Sequence, residues 1–146
     1  MRYNTTKRDP IQNSFIMPNE IFRLGLSEGA IAVYAYLLYC EDRETYQCYP
    51  SYTTIADAIN KSKNSVRKYV AELVSKRLID TEHTTVTLKD GRKHNGSLKY
   101  TLLPITEAVR HYDEVQMRKL KIEQAKREAE KRLAEYDRKH PKTASV

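Results

Sequence analysis

Residues 61–68 read Lys-Ser-Lys-Asn-Ser-Val-Arg-Lys. Lys61, Lys63, Arg67 and Lys68 supply cationic donors, while Asn64 and Ser65 supply neutral groups that both donate and accept hydrogen bonds. A carboxamide can bond two edge atoms of an adenine, and Arg or Lys can reach a guanine edge or a phosphate oxygen. These residue types therefore suit the reading of a nucleic acid. Two further groups fit the same use. Ser51, Thr53 and Thr54 offer hydroxyls, beside Tyr52, and Arg92, Lys93 and His94 cluster near Gly91 and Gly96. Bond-making chemistry lacks its parts, because the chain has no Gly-x-Ser-x-Gly, no phosphate-cradling Gly-Lys-Ser/Thr loop and no His-Glu-x-x-His. His83, His94, His111 and His140 are scattered, and Cys40 and Cys48 do not have the spacing of a zinc site. No catalytic residue, metal or cofactor is expected.

Periodicity defines the elements that must position these groups. Val66, Tyr69, Val70 and Leu73 recur at spacings of three and four, which predicts a helix from a Ser62 cap to about Lys76. On its wheel Asn64, Lys68, Ala71 and Ser75 lie opposite that stripe, flanked by Ser65, Arg67 and Glu72 as outward residues. Base contacts are expected from Asn64, Ser65 and Lys68, and either role from Arg67. Lys61 and Lys63 flank the helix start, where free backbone amides suit a phosphate. The preceding helix is capped by Ser51 and buries Ile55, Ala56 and Ile59, with a turn at Asn60-Lys61 between the two.

Upstream, residues 15–22 read as an extended piece turning at Pro18 into a helical turn or two, closed by Gly25. Ser27 caps a helix that is apolar nearly all round, with Ile31, Ala35 and Leu38 on one face and Val33, Tyr34 and Leu37 beside it. A short strand is expected over 45–49. Downstream, 78–88 alternates as a strand, 89–96 holds an Asp-Gly and an Asn-Gly pair that accept positive φ, and Leu98, Tyr100 and Leu102 alternate on the way back. That is one long hairpin.

Charge is concentrated where these residues lie. Residues 61–104 carry ten basic and four acidic side chains, a balance of +6, against five and seven in 1–60 and eleven and eight in 105–146. A basic patch on part of a small domain is the footprint of a polyanion binder. The eleven tyrosines form no stacking row, since Tyr34, Tyr69 and Tyr100 fall on core-facing positions.

The order helix, strand, helix, turn, helix, hairpin is that of a winged helix-turn-helix. Residues 15 to about 103 resemble the bacterial winged helix-turn-helix domains of phage and plasmid replication proteins and of regulators on mobile elements. The resemblance rests on Phe15 with Pro18-Asn19, Leu26-Ser27, Tyr34 with Leu37-Leu38, Tyr49-Pro50-Ser51, Asn64-Ser65-Val66, Leu73 and Leu78-Ile79. It implies recognition of double-stranded DNA by the third helix at an origin or operator. Such domains commonly carry Gly before the Leu-Ile pair. Here Arg77 stands there, so a left-handed backbone at that point bears modest strain.

The final stretch is expected to be a helix capped by Thr106 and unbroken before Pro141, about 34 residues or roughly 50 Å long. Ile105, Ala108, Tyr112, Val115, Ile122, Ala129, Leu133 and Tyr136 form a weak heptad seam, with Lys119 and Lys126 in two of its positions. Such a seam either pairs two copies or leaves a solitary helix whose first turns pack on the domain, and a homodimer is the favoured expectation. The fold class expected is mainly α with a small β-sheet. Residues 1–14 are a flexible segment, 15–104 the winged domain, 105–140 the charged helix and 141–146 a flexible tail. With no apolar run long enough for a bilayer and no secretory leader, a cytoplasmic, non-enzymatic DNA-binding regulator without membrane contact is expected. The rival is a protein-interaction module on the same scaffold, serving replisome assembly or inhibition of a host factor.

Overall fold

The computed structural model describes residues 14–141, and the chain divides into two compact units, Met1–Val109 and Arg110–Val146. Segments 1–13 and 142–146, which hold most of the two flexible ends expected above, lie outside the described residues.

In the first unit a 3₁₀ turn, Asn19–Arg23, leads through Gly25 (φ 68°) into α1, Glu28–Cys40. Then follow β1 (Gln47–Cys48), α2 (Tyr52–Ile59), α3 (Lys63–Ser75), β2 (Ile79–Glu82), β3 (Thr85–Thr87), β4 (Lys93–Asn95) and β5 (Lys99–Leu102). Three helices over a small antiparallel sheet, followed by a long helix, make the winged helix fold class expected. The helices start where serine hydroxyls satisfy free amides: Ser27 Oγ accepts from Ala30, Ser51 Oγ from Thr54 and Ser62 Oγ from Ser65.

The core joins these elements except β3 and β4, whose residues are all exposed. Ile21, Val33, Leu37, Ile55, Val66, Leu73 and Leu78 are wholly buried, and Tyr34 and Tyr100 nearly so. In α1 the buried face is Ala30, Val33, Tyr34 and Leu37, while Ile31, Ala35 and Leu38 are only half-buried, so the face expected to lead is rotated to the flank. Gly29 explains the rotation. A Cβ there would stand 2.0 Å from the Tyr69 ring, so α1 is bare at the point where α3 crosses it. The 45–49 strand shrinks to two residues because Tyr46 turns the chain at φ 59°.

The hairpin differs most from expectation. β5 is the centre of a sheet ordered β1-β5-β2, with Thr81 opposite Tyr100 and Gln47 opposite Thr101, and β3 and β4 form a separate pair. The break falls at Thr84 and Gly96. The Thr84 hydroxyl donates to the Ser97 carbonyl, and a Cβ on Gly96 would stand 2.5 Å from Thr84 Oγ1. Gly96 is therefore present for close approach, and the chain reverses only at Gly91 (φ 85°). Asn95-Gly96 is no turn, and Lys93 and His94 lie in a strand.

The helix α4 spans Ile105–Lys139. It starts one residue before Thr106, whose place as cap is taken by Pro104; the Pro104 carbonyl accepts from Glu107 N at 2.9 Å. Ala108 is buried within the first unit, and the second unit is helical through Lys139, with every side chain from 117 to 140 exposed. No helix among the described residues is long and apolar enough to cross a membrane, and no three described His, Cys, Asp or Glu residues converge to hold a metal ion.

Candidate nucleic-acid interface

The site is built on α3, whose orientation is fixed at both ends. Its burial of Val66, Val70 and Leu73 turns Asn64, Arg67 and Lys68 to solvent. Asn60 ends α2 in the left-handed conformation (φ 57°, ψ 48°), and the Lys61 amide returns to the Ala56 carbonyl at 3.0 Å. An asparagine tolerates that geometry, and it makes the turn between α2 and α3 tight. At the far end Leu78 N donates to Leu73 O at 3.0 Å and Arg77 N to Val74 O at 3.1 Å, closing the helix through Arg77 at φ 58°.

Two side chains fasten α3 to the segment before α1. Glu72 Oε2 accepts from Ser27 N at 2.9 Å and from Ser27 Oγ at 3.1 Å, and Lys76 Nζ donates to the Leu24 carbonyl at 3.0 Å. Glu72 is thus a clamp and does not face outward. Ser65 lies on the same flank, half-buried, and its hydroxyl accepts from Ser62 Oγ at 3.0 Å while keeping its own proton to donate.

Lys63 and Arg67 lie on the other flank and line a cleft of about 530 Å³ between the starts of α2 and α3 and the base of the β3–β4 hairpin. Ser51, Tyr52 and Thr53 form its helical wall, and His83, Asn95 and Ser97 its opposite wall. The Arg67 guanidinium stands 5.6 Å from the centre of the Tyr52 ring. That contact restrains a long side chain at the cleft mouth. Among the described residues no carboxylate lines the cleft, which leaves Lys63 and Arg67 as its fixed charges.

Of the residues singled out from sequence, Ser51, Thr53, Lys63 and Arg67 share this cleft. Asn64 and Lys68 lie exposed on the outer ridge of α3, and Lys61 is exposed in the turn before it. Thr54 is placed elsewhere: its hydroxyl is 2.9 Å from Ser51 Oγ, and it borders a different hollow with Cys40 and Gln47. In the hairpin, Arg92 is ion-paired with Asp90 at 3.4 Å, and Lys93 and His94 point to opposite faces of β4 across from Thr87 and Val86. Asn95 and Lys93 share a face, so Lys93 is on the cleft side and His94 on the other. Tyr52, whose hydroxyl stands with those of Ser51 and Thr53 at the start of α2, lines the cleft as well, and His83, Asn95 and Ser97 join it without having been singled out as contacts. Those three carried no local signal in the sequence.

Residues 24–79, α1 to the start of β2, match a protein family described as a helix-turn-helix domain. No curated protein matches the chain. Among solved structures, similar chains include a possible transcriptional regulator from Methanosarcina mazei Go1, at 16% identity and TM-score 0.47 over 72% of this chain and 80% of that one. A MarR family transcription regulator is similar at 17% identity and TM-score 0.40, over 84% and 79%. MepR of S. aureus in complex with DNA is similar at 16% and 0.36, over 80% and 86%. By sequence match and by geometry, residues 24–79 of this chain are similar to a helix-turn-helix domain, to which β3 and β4 add a wing.

Proposed function

We propose that the first unit binds double-stranded DNA, with α3 in the major groove and the wing beside the backbone, as a replication or transcription regulator of a mobile element. The observation that carries this reading is the exposed ridge of Asn64, Arg67 and Lys68 on the second helix of a helix-turn-helix whose opposite face is held in the core. A helix about 10–12 Å across with its side chains fits a groove about 12 Å wide. Asn64, Ser65 and Lys68 are the base-contacting residues, and Arg67 serves base or phosphate. Lys61, Lys63, Ser51 and Thr53 hold phosphate along one side, and Arg92, Lys93 and His94 do so from the wing. The mobile-element setting rests on the resemblance carried by Tyr49-Pro50-Ser51, Asn64-Ser65-Val66 and Leu78-Ile79.

Selection of random duplexes by the purified full chain tests this. Recovery of a common motif, bound more tightly than scrambled duplex, is the expected result. Equal and negligible retention of all duplexes would instead favour a protein partner for the same face.

A further inference from the structure

Beyond its first turns, α4 carries one stripe formed by Val115, Lys119, Ile122, Lys126, Ala129, Leu133 and Tyr136. Its large apolar members are uncovered: Ile122 is 58%, Leu133 62% and Tyr136 60% exposed. The two rows flanking the stripe differ in sign. One holds Arg118, Ala125, Arg132 and Lys139, and the other holds Gln116, Glu123, Glu130 and Asp137. Within one helix these rows are related by two or five positions, spacings at which side chains do not meet. Glu123 pairs instead with Arg127, at 2.9 Å, away from the stripe. Contacts between the two rows within a single helix therefore do not account for the separation of charge across the stripe.

We propose that the stripe is covered by a second copy of this chain, lying parallel and in register as a coiled coil over residues 115–139. In that arrangement each basic-row residue faces the acidic-row residue five positions further along the other helix. Arg118 meets Glu123 and Arg132 meets Asp137, twice each by symmetry. An antiparallel pair sets basic row against basic row and Glu123 against Glu130, so the flanking charges repel throughout. Lys119 and Lys126 face their own counterparts in the parallel pair, which weakens it. Their long stems carry the ammonium groups outward beside the apolar contacts. The pair is consequently reversible. This proposal does not depend on what the first unit binds.

Two measurements on the full chain test it. Ile122→Cys and Leu133→Cys, oxidised separately at roughly 100 µM, should each form a covalent homodimer far beyond that of the parent chain with its native Cys40 and Cys48, because each position faces itself in a parallel pair. Crosslinking only when the two variants are mixed means an antiparallel pair and overturns the proposal. In sedimentation equilibrium the parent chain should dimerise, and Arg118→Glu/Arg132→Glu and Glu123→Lys/Asp137→Lys should each lose the dimer at unchanged helical circular dichroism. Mixing those two double variants should restore it. A parent chain that stays monomeric at that concentration, or double variants that dimerise as well as the parent, overturns the proposal.

Discussion

The carboxylate of Glu72 on α3 accepts two hydrogen bonds from Ser27, one from its amide at 2.9 Å and one from its hydroxyl at 3.1 Å. Ser27 is also the cap of α1, accepting from Ala30 N at 3.3 Å. One carboxylate thus ties the start of α1 to the helix that carries Asn64 and Lys68. Removing it leaves a part-buried amide without its acceptor. Glu72→Ala should lower the unfolding free energy by about 1–3 kcal/mol, the cost of leaving a buried donor without its acceptor, and Glu72→Gln by less. Urea denaturation of the two variants beside the parent chain checks the order.

Gly29 and Tyr69 form a second link between α1 and α3. In an isolated helix Gly→Ala gains about 1 kcal/mol, but here the new methyl meets the Tyr69 ring at 2.0 Å. Gly29→Ala should therefore destabilise the chain, by about 1–3 kcal/mol as overpacked sites do. In a Tyr69→Ala background the same change should stabilise. A double-mutant cycle by thermal melting reads the coupling, and additive effects would show that the ring moves aside freely.

The left-handed residue Arg77 predicts the opposite sign. A non-glycine residue at φ 58° bears about 1–2 kcal/mol of strain, part of which is offset by the lower entropy of its unfolded chain. Arg77→Gly should raise stability by about 0.5–1 kcal/mol. A lower denaturation midpoint would show that the arginine side chain contributes more than its backbone costs.

Alkaline pH should unfold the first unit. Burial pushes the Tyr34 hydroxyl from 10.0 up to about 12 and the Cys48 thiol from 9.0 up to about 12, and raises Tyr100 as well. Each group is neutral in the core, and its folded value lies above its unfolded one. The contribution to stability is complete below the unfolded value and is lost as pH climbs towards the folded value. Urea midpoints should be level up to about pH 9 and fall between about pH 9 and 12. Tyr34→Phe should make the fall shallower, and an unchanged profile in that variant would show that another group drives it.

How far the sequence disclosed this molecule depended on the range of the interaction. The caps Ser27, Ser51 and Ser62 and the outward position of Asn64 and Lys68 follow from local spacing, and the structure places them accordingly. The stress at Arg77 was legible only through the resemblance, since the domains this chain resembles commonly carry Gly before the Leu-Ile pair, and the structure has Arg77 at φ 58°. The Glu72–Ser27 clamp was not, since it joins residues 45 positions apart and a glutamate on a helix flank usually faces water. The division of the hairpin was hidden too: Thr84 and Gly96 interrupt strands whose alternation continues on both sides, so His83, Asn95 and Ser97 came to the cleft without a local sign.

The central claim is that α3 reads DNA bases while the wing holds the backbone, and salt titration of duplex binding by four single variants tests it most directly. Asn64→Ala and Lys68→Ala should each cost about 1–3 kcal/mol on the selected sequence and less on unrelated duplex. Arg92→Ala and Lys93→Ala should weaken all duplexes about equally and reduce the slope of log affinity against log salt by about one unit per charge removed, with the smaller change at Arg92, which Asp90 already pairs. All four side chains are exposed, so melting temperatures should not change. Asn64→Ala and Lys68→Ala variants that fold normally and keep both the affinity and the sequence preference of the parent chain would contradict the account.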